Sequence, residues 1–223
     1  MKKINKSLAI ALISSCIGAN AYAETGTVAI GPRLSTQGIG AEIVVPITDT
    51  IFGRINGNYF TYKHSLKNGE IDLKGKLTLQ SVPIMIDWHP IDNSGFRISV
   101  GVAYNDNELK AVGSTNKGVT INNHYYAPNQ IGTVSAKLTL GNALAAIASI
   151  GYEGAFIDNG PFSFNCELGA MYTGKLKLTV NSTGIGGNFI KEDVRKDVKK
   201  SLDKSEKYLK IFPIISLGFK YAI

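Results

Sequence analysis

The chain has 223 residues and a formal net charge of +7, and 44% of its side chains are hydrophobic. Such mild basicity does not call for a nucleic-acid partner, which would need a dense Lys/Arg face. Beyond the N-terminus no stretch approaches the roughly 18 apolar residues of a membrane-crossing helix; the nearest, Ala143 to Ile150, is broken by Ser149.

Residues 1–23 read as a secretory signal peptide. Lys2, Lys3 and Lys6 precede a mostly apolar run from Leu8 to Ile17, and Ala21-Tyr22-Ala23 gives a small-x-small cleavage pattern before Glu24. Ile13-Ser14-Ser15-Cys16 also resembles a lipoprotein box in which Cys16 is acylated, although the apolar run before it is short. Cleavage after Ala23 removes three lysines and no acid, so the charge falls from +7 to +4. The domain at 24–223 keeps only Cys166, which leaves no intramolecular disulfide. An exported chain of about 200 residues without a membrane helix is a soluble domain or a barrel.

Periodicity favours the barrel. Thr27 to Leu34 puts Val28, Ile30 and Leu34 on one face, and the next segment does the same with Ile39, Ala41, Ile43, Val45 and Ile47. Ile55 and Tyr59 follow, with Arg54, Asn56 and Asn58 opposite them. From Glu70 to His89 the phase changes: Ile71, Leu73, Leu77 and Leu79 are odd-numbered, but Val82, Ile84, Ile86 and Trp88 are even, which predicts a β-bulge near Gln80-Ser81. Phe96 to Asn105 alternates Phe96, Ile98, Val100, Val102 and Tyr104 with Arg97, Ser99, Gly101, Ala103 and Asn105. That second face is small as well as polar, which suits a narrow enclosed lumen.

Ala143 to Phe156 alternates more weakly. Pro161 to Val180 keeps one phase for nearly twenty residues, far more than the five or six of an ordinary strand. Ile215, Leu217, Phe219, Tyr221 and Ile223 form the outward set of a last strand expected to close on the first near Val28 and Ile30. Pro83 and Pro213 are awkward for central strands.

Short connections at Thr48 to Thr50, Asp92 to Gly95 and Asp158 to Gly160 alternate with long ones at Gly113 to Gly132 and Ser182 to Glu206. Membrane barrels show this asymmetry, with short turns on the periplasmic side. The predicted fold is an all-β, eight-stranded antiparallel up-and-down transmembrane barrel. Its inward positions then carry Arg33, Arg54, Arg97 and Lys220 against Glu42, Asp87, Glu153 and Glu167. Four charges of each sign predict a neutral, mutually paired interior; a narrow gated path for small zwitterions is the sharper alternative. Aromatics are expected as two interfacial girdles: Trp88, Phe96, Phe162, Phe219 and Tyr221 at the periplasmic edge, and Tyr59, Tyr62, Tyr104 and Tyr172 at the outer one.

Lys191 to Lys210 breaks the β pattern. Ile190, Val194, Val198 and Leu202 recur at helical spacing on a segment with eight basic and five acidic residues. It predicts a charged helix in the last extracellular loop, as a solvated rim helix, a lid, or a basic surface for lipopolysaccharide phosphates.

Catalytic signals are poor. His64, His89 and His124 belong to no metal or nucleophile motif, and Asp87-Trp88-His89 reads as an interfacial stretch. Gly184 to Gly187 lacks the strand-to-helix context of a phosphate loop, and Asn105 to Glu108 lacks the glycine of a calcium loop. Neither an enzyme nor a cofactor is expected.

The segments STQGIGAE from Ser35, SVPIMIDWHP from Ser81, FRISVGVAYNDN from Phe96, GAMYTGKLKL from Gly169 and YLKIFPIISLGFKYAI at the end resemble a family of small outer-membrane β-barrel proteins that includes the ornithine-uptake channel CarO. The resemblance implies an outer-membrane, monomeric, eight-stranded barrel with a closed or narrow lumen, and for channel members uptake of small amino acids. Its expected partners are outer-membrane lipid, lipopolysaccharide and a small amino-acid solute. Such barrels usually end on Phe or Trp, whereas this sequence ends on Ile223.

Overall fold

The computed structural model describes residues 27–223 except 69–70, 93, 116, 122, 156–159, 186 and 204–209. The predicted signal peptide, the Cys16 alternative and most of the turn at 158–160 therefore lie outside the described residues.

Eight antiparallel strands close into a barrel: β1 (Ala29–Ser35), β2 (Gly38–Pro46), β3 (Ile51–Asn68), β4 (Ile71–Trp88), β5 (Phe96–Asn105), β10 (Leu144–Ala155), β11 (Phe162–Tyr172) and β13 (Ile211–Ala222). The seam lies where the sequence places it, with Ala29 opposite Ala222, Ile30 opposite Tyr221, and the Ile223 amide donating to the Val28 carbonyl at 2.8 Å. Outside the closed ring lie β6 (Glu108–Thr115), β7 (Val119–Ile121), β8 (His124–Tyr126), β9 (Thr133–Thr139) and β12 (Lys177–Ser182), with helices α1 (Pro128–Ile131) and α2 (Gly187–Asp203).

The prolines fall where a ladder is interrupted. Between β1 and β13 the pairing skips from Ile30 to Arg33, across Pro32, and between β3 and β4 it skips Pro83 and its neighbour Val82. Pro213 lies beyond the last β1 partner, where the Thr36 hydroxyl donates to its carbonyl at 2.8 Å. A missing N–H at these sites costs no ladder bond.

Outward positions on the barrel are apolar all the way round, with Ile43, Ile55, Ile84, Val100, Ile150, Leu168 and Ile215 all exposed. Soluble monomers rarely expose contiguous apolar patches beyond a few hundred Å², so this continuous belt is a lipid-facing surface. Exposed Trp88, Phe162, Phe219 and Tyr221 edge the belt at the turn end, where the Phe162 and Tyr221 rings lie 5.0 Å apart. Tyr59, Tyr104 and Tyr172 edge it at the other end. Tyr62 departs from expectation: it lies on the opposite face of β3 from Tyr59 and stacks on the His64 ring.

Beyond Tyr59 the architecture changes. β3 and β4 are 18 residues each and run past the barrel as a hairpin. β4 pairs with β5 over Ser81–Trp88 and with β6 over Ile71–Thr78, after which β9 adds to β6 and β12 to β9. The resulting five-stranded head sheet occupies most of what reads in the sequence as long loop.

Three expectations are corrected here. No bulge separates the halves of β4, which keeps a single register against β3 from Ile51↔Trp88 to Asn68↔Ile71. What changes is the environment: within lipid the outward side must be apolar, whereas above it the outward side is Lys74, Lys76 and Thr78, and the inward side carries Leu73, Leu77 and Leu79. The twenty-residue strand from Pro161 is instead β11 followed by β12 in a different position. Residues 173–176 turn away through Gly174 at φ +80°, a conformation that glycine adopts without strain. The long connection from Gly113 to Gly132 holds the end of β6, the β7–β8 hairpin and the whole of α1.

The charged helix forms as α2, starting at Gly187, and residues 204–209 and the Leu202 side chain lie outside the description. Ile190 is fully buried, while Val194 and Val198 are half-buried. α2 packs on β12 and also touches β7 and α1, which places it on the head rather than as a lid on the barrel mouth. Asp193 fixes it there, accepting from the Tyr126 hydroxyl at 2.7 Å and meeting His124 Nδ1 at 2.6 Å.

Candidate functional site: the filled lumen

Inward positions near the turn end carry the eight charges singled out from the sequence. Each is at most 8% exposed. Glu167 on β11 is the hub: its Oε2 accepts from Arg33 at 3.1 Å, Arg54 at 2.7 Å and Arg97 at 3.0 Å, from β1, β3 and β5 respectively. Every arginine has a second carboxylate. Arg33 reaches Glu42 at 3.0 Å, Arg54 clasps Asp87 through Nε at 2.7 Å, and Arg97 reaches Glu153 at 3.4 Å. Lys220 closes the chain of pairs on Glu153.

Such a network suits arginine, whose planar fork donates to two carboxylates at once. Burying these charges is tolerable because each meets a partner of opposite sign and the sum is zero. Glycines make room for them. Gly151 lies opposite Arg97, and a Cβ there would come within 2.9 Å of Arg97 Nε. At Gly218, opposite Arg33, a Cβ would lie 3.0 Å from Glu42 Oε1.

Toward the head the filling becomes apolar. Met85, Ala103, Ala145, Ile147, Met171 and Ile214 form one buried cluster supplied by β4, β5, β10, β11 and β13. On the remaining side Gln37, 1% exposed, enters from the β1–β2 turn, donates to Met171 Sδ at 3.6 Å and accepts from Asn58 at 3.5 Å. The cross-section is thus occupied at two levels, one ionic and one apolar.

The apolar level has no counterpart in the sequence reading. Its signal is present as continuous apolar runs, Ile84-Met85-Ile86, Ala146-Ile147-Ala148 and Ile214-Ile215, where a polar-lined lumen would require alternation. Asn165, donating to Glu42 at 2.5 Å, is a further unpredicted member of the ionic level.

The remaining candidates serve structure. His89 packs its ring 5.0 Å from Phe52. Asn105 donates to the carbonyls of Leu140 and Asn142, and Asn107 accepts from the Gln80 amide at 2.8 Å, so this stretch joins barrel to head. Among the described residues no group of three His, Cys, Asp or Glu side chains is placed to hold a metal ion.

No protein-family model matches the sequence, and no curated protein matches it. Among solved structures the chain is similar to CarO2 of Acinetobacter baumannii, with TM-score 0.56 and 18% identity over 90% of this chain and 100% of that one. It is also similar to CarO of the same organism, with TM-score 0.53 and 18% identity over 87% of this chain and 97% of that one. At that identity the likeness is one of fold, and it agrees with the resemblance carried by the strand and turn motifs.

Proposed function

We propose that the chain is an exported, monomeric outer-membrane β-barrel whose lumen is sealed and whose role is to hold the head sheet and α2 at the cell surface as an interaction module. Its short turns face the periplasm and its head faces outward, the usual polarity of such barrels. The observation that supports sealing best is the apolar level around Met85 and Met171, at most 4% exposed throughout. An ion or zwitterion crossing it would shed its water with no partner in return.

The narrower reading, a gated path for small amino acids guided by Glu42, Asp87, Glu153 and Glu167, draws on the charged level alone and requires the apolar level to move. Swelling of proteoliposomes in ornithine, glycine and arginine separates the two readings. Sealing predicts rates equal to empty vesicles for all three solutes, and swelling in any one of them would overturn it.

A further inference from the structure

The outward face of the head sheet carries a row of lysines that the sealed barrel does not use. Lys63 on β3 pairs with Lys76 on β4, Lys76 with Lys110 on β6, and Lys110 with Lys137 on β9. Four like charges stand directly opposite one another on four neighbouring strands, spaced about 4.8 Å apart, so the row is about 14 Å long. Like charges in directly paired positions destabilise a sheet. Lys74 and Lys177 flank the row, and Asp72 and Glu108 are the carboxylates on the same face.

Glu108 relieves only one end. Its carboxylate takes Lys110 at 2.6 Å and Lys137 at 2.5 Å, and those hydrogen bonds hold it below the usual carboxylate range. Lys63 and Lys76 have no carboxylate partner among the described residues. The row is also not a by-product of sheet building, since the opposite face of the same strands carries Leu77, Leu109, Ala111 and Leu138.

Position decides the ligand. Lys63 lies on the same face of β3 as the lipid-facing Ile55 and Tyr59, four residues beyond Tyr59. That is about 13 Å along the strand, or about 10 Å in height for the usual barrel tilt. Tyrosine marks the membrane interface, and lysine stems reach back toward it. A cationic, lipid-side surface at that height faces the headgroup layer.

We infer that Lys63, Lys76, Lys110 and Lys137 form a binding site for the phosphate groups of lipopolysaccharide in the outer leaflet. The site rests on the outer-membrane placement proposed above. It assigns the lipid contact to the head sheet rather than to α2, whose cations stand on another element. Bound phosphates offset the repulsion within the row and tie the head down against the membrane surface.

The test compares wild type with K63Q/K76Q/K110Q/K137Q, and with K191Q/K196Q on α2 as a cationic control. Each protein is reconstituted in neutral phosphatidylcholine bicelles and titrated with purified rough lipopolysaccharide or with its enzymatically dephosphorylated form. The row variant is expected to bind phosphorylated lipopolysaccharide at least about tenfold more weakly, and the α2 variant to match wild type. In the absence of lipopolysaccharide K63Q/K76Q, which keeps both Glu108 bridges, should be no less stable than wild type, because the repulsion at that end of the row is gone.

Equal binding by the row variant, equal binding of the dephosphorylated form, or an equal loss in the α2 variant would each overturn the site. Should the four-fold variant not fold, K63Q/K76Q, which leaves the Glu108 bridges intact, must still show weakened binding. Failure of wild type to insert into the neutral bicelles would overturn the membrane placement itself, a result distinct from insertion without lipopolysaccharide binding.

Discussion

Replacing Glu167 by Gln removes the charge on which three arginines converge and leaves the side-chain shape intact. Arg33, Arg54 and Arg97 lose hydrogen bonds of 3.1, 2.7 and 3.0 Å, yet each keeps another carboxylate in Glu42, Asp87 or Glu153. The lumen is left with one uncompensated positive charge instead of three. Removing one partner of a buried pair costs about 3–5 kcal/mol, and the lower half of that range is expected because the arginines remain partly paired. Urea unfolding in phospholipid vesicles, read by the shift in gel migration between folded and unfolded barrel, measures the loss. R33Q/E167Q restores equal numbers of charges, so it should recover at least half of what E167Q loses. A loss below about 1 kcal/mol for E167Q, or strict additivity of the two substitutions, would refute the claim that Glu167 is the hub.

Gly151→Leu forces a branched side chain against Arg97 and should cost about 1–3 kcal/mol by overpacking, whereas Gly57→Ala, where a Cβ meets nothing within 4 Å, should be nearly neutral in the same unfolding assay. Met171→Ala opens a cavity in the apolar level and should destabilise by about 2–5 kcal/mol, and a loss below about 1 kcal/mol would mean that the level is loosely packed. The Glu108 bridge carries a pH dependence of definite sign. Its folded pKa is depressed by Lys110 first and Lys137 second, so its contribution is complete above the ordinary Glu value of about 4.3 and is lost as the pH falls through the folded value. Amide exchange in β6 and β9, corrected for intrinsic rates, should be slower in wild type than in E108Q at pH 7 and converge with it as the pH falls through the depressed folded value. Equal protection at pH 7 would remove the bridge from the account.

Where lipid bounds the chain, alternation is a direct physical record. Ile39 to Val45, Val82 to Trp88 and Ile215 to Tyr221 must be apolar outside, so strand phase, barrel closure and the eight inward charges all follow from reading every second residue. Above the membrane that constraint lapses. On β4 the apolar side crosses from outward Ile84 to inward Leu77 with no change in backbone register, and periodicity alone renders this as a bulge. Tyr62 is misplaced for the same reason, since an aromatic three residues past Tyr59 lies on the other face. The break after Tyr172 turns on one backbone angle at Gly174, which has no apolar signature. β6 and β9 are hidden because both their faces meet water or the head, and Lys110 and Lys137 gain their meaning only when the strands stand side by side. The apolar level of the lumen was legible in principle, in runs such as Ile84-Met85-Ile86, but only once those inward positions are known to face one another.

Planar-bilayer recording from the purified wild-type protein tests the central claim most directly, with M85G/I147G/M171G, which empties the apolar level, recorded beside it. A sealed lumen predicts no conductance steps from wild type in salt at neutral pH, and steps only from the triple variant. Regular steps from wild type equal to those of the triple variant would contradict the account.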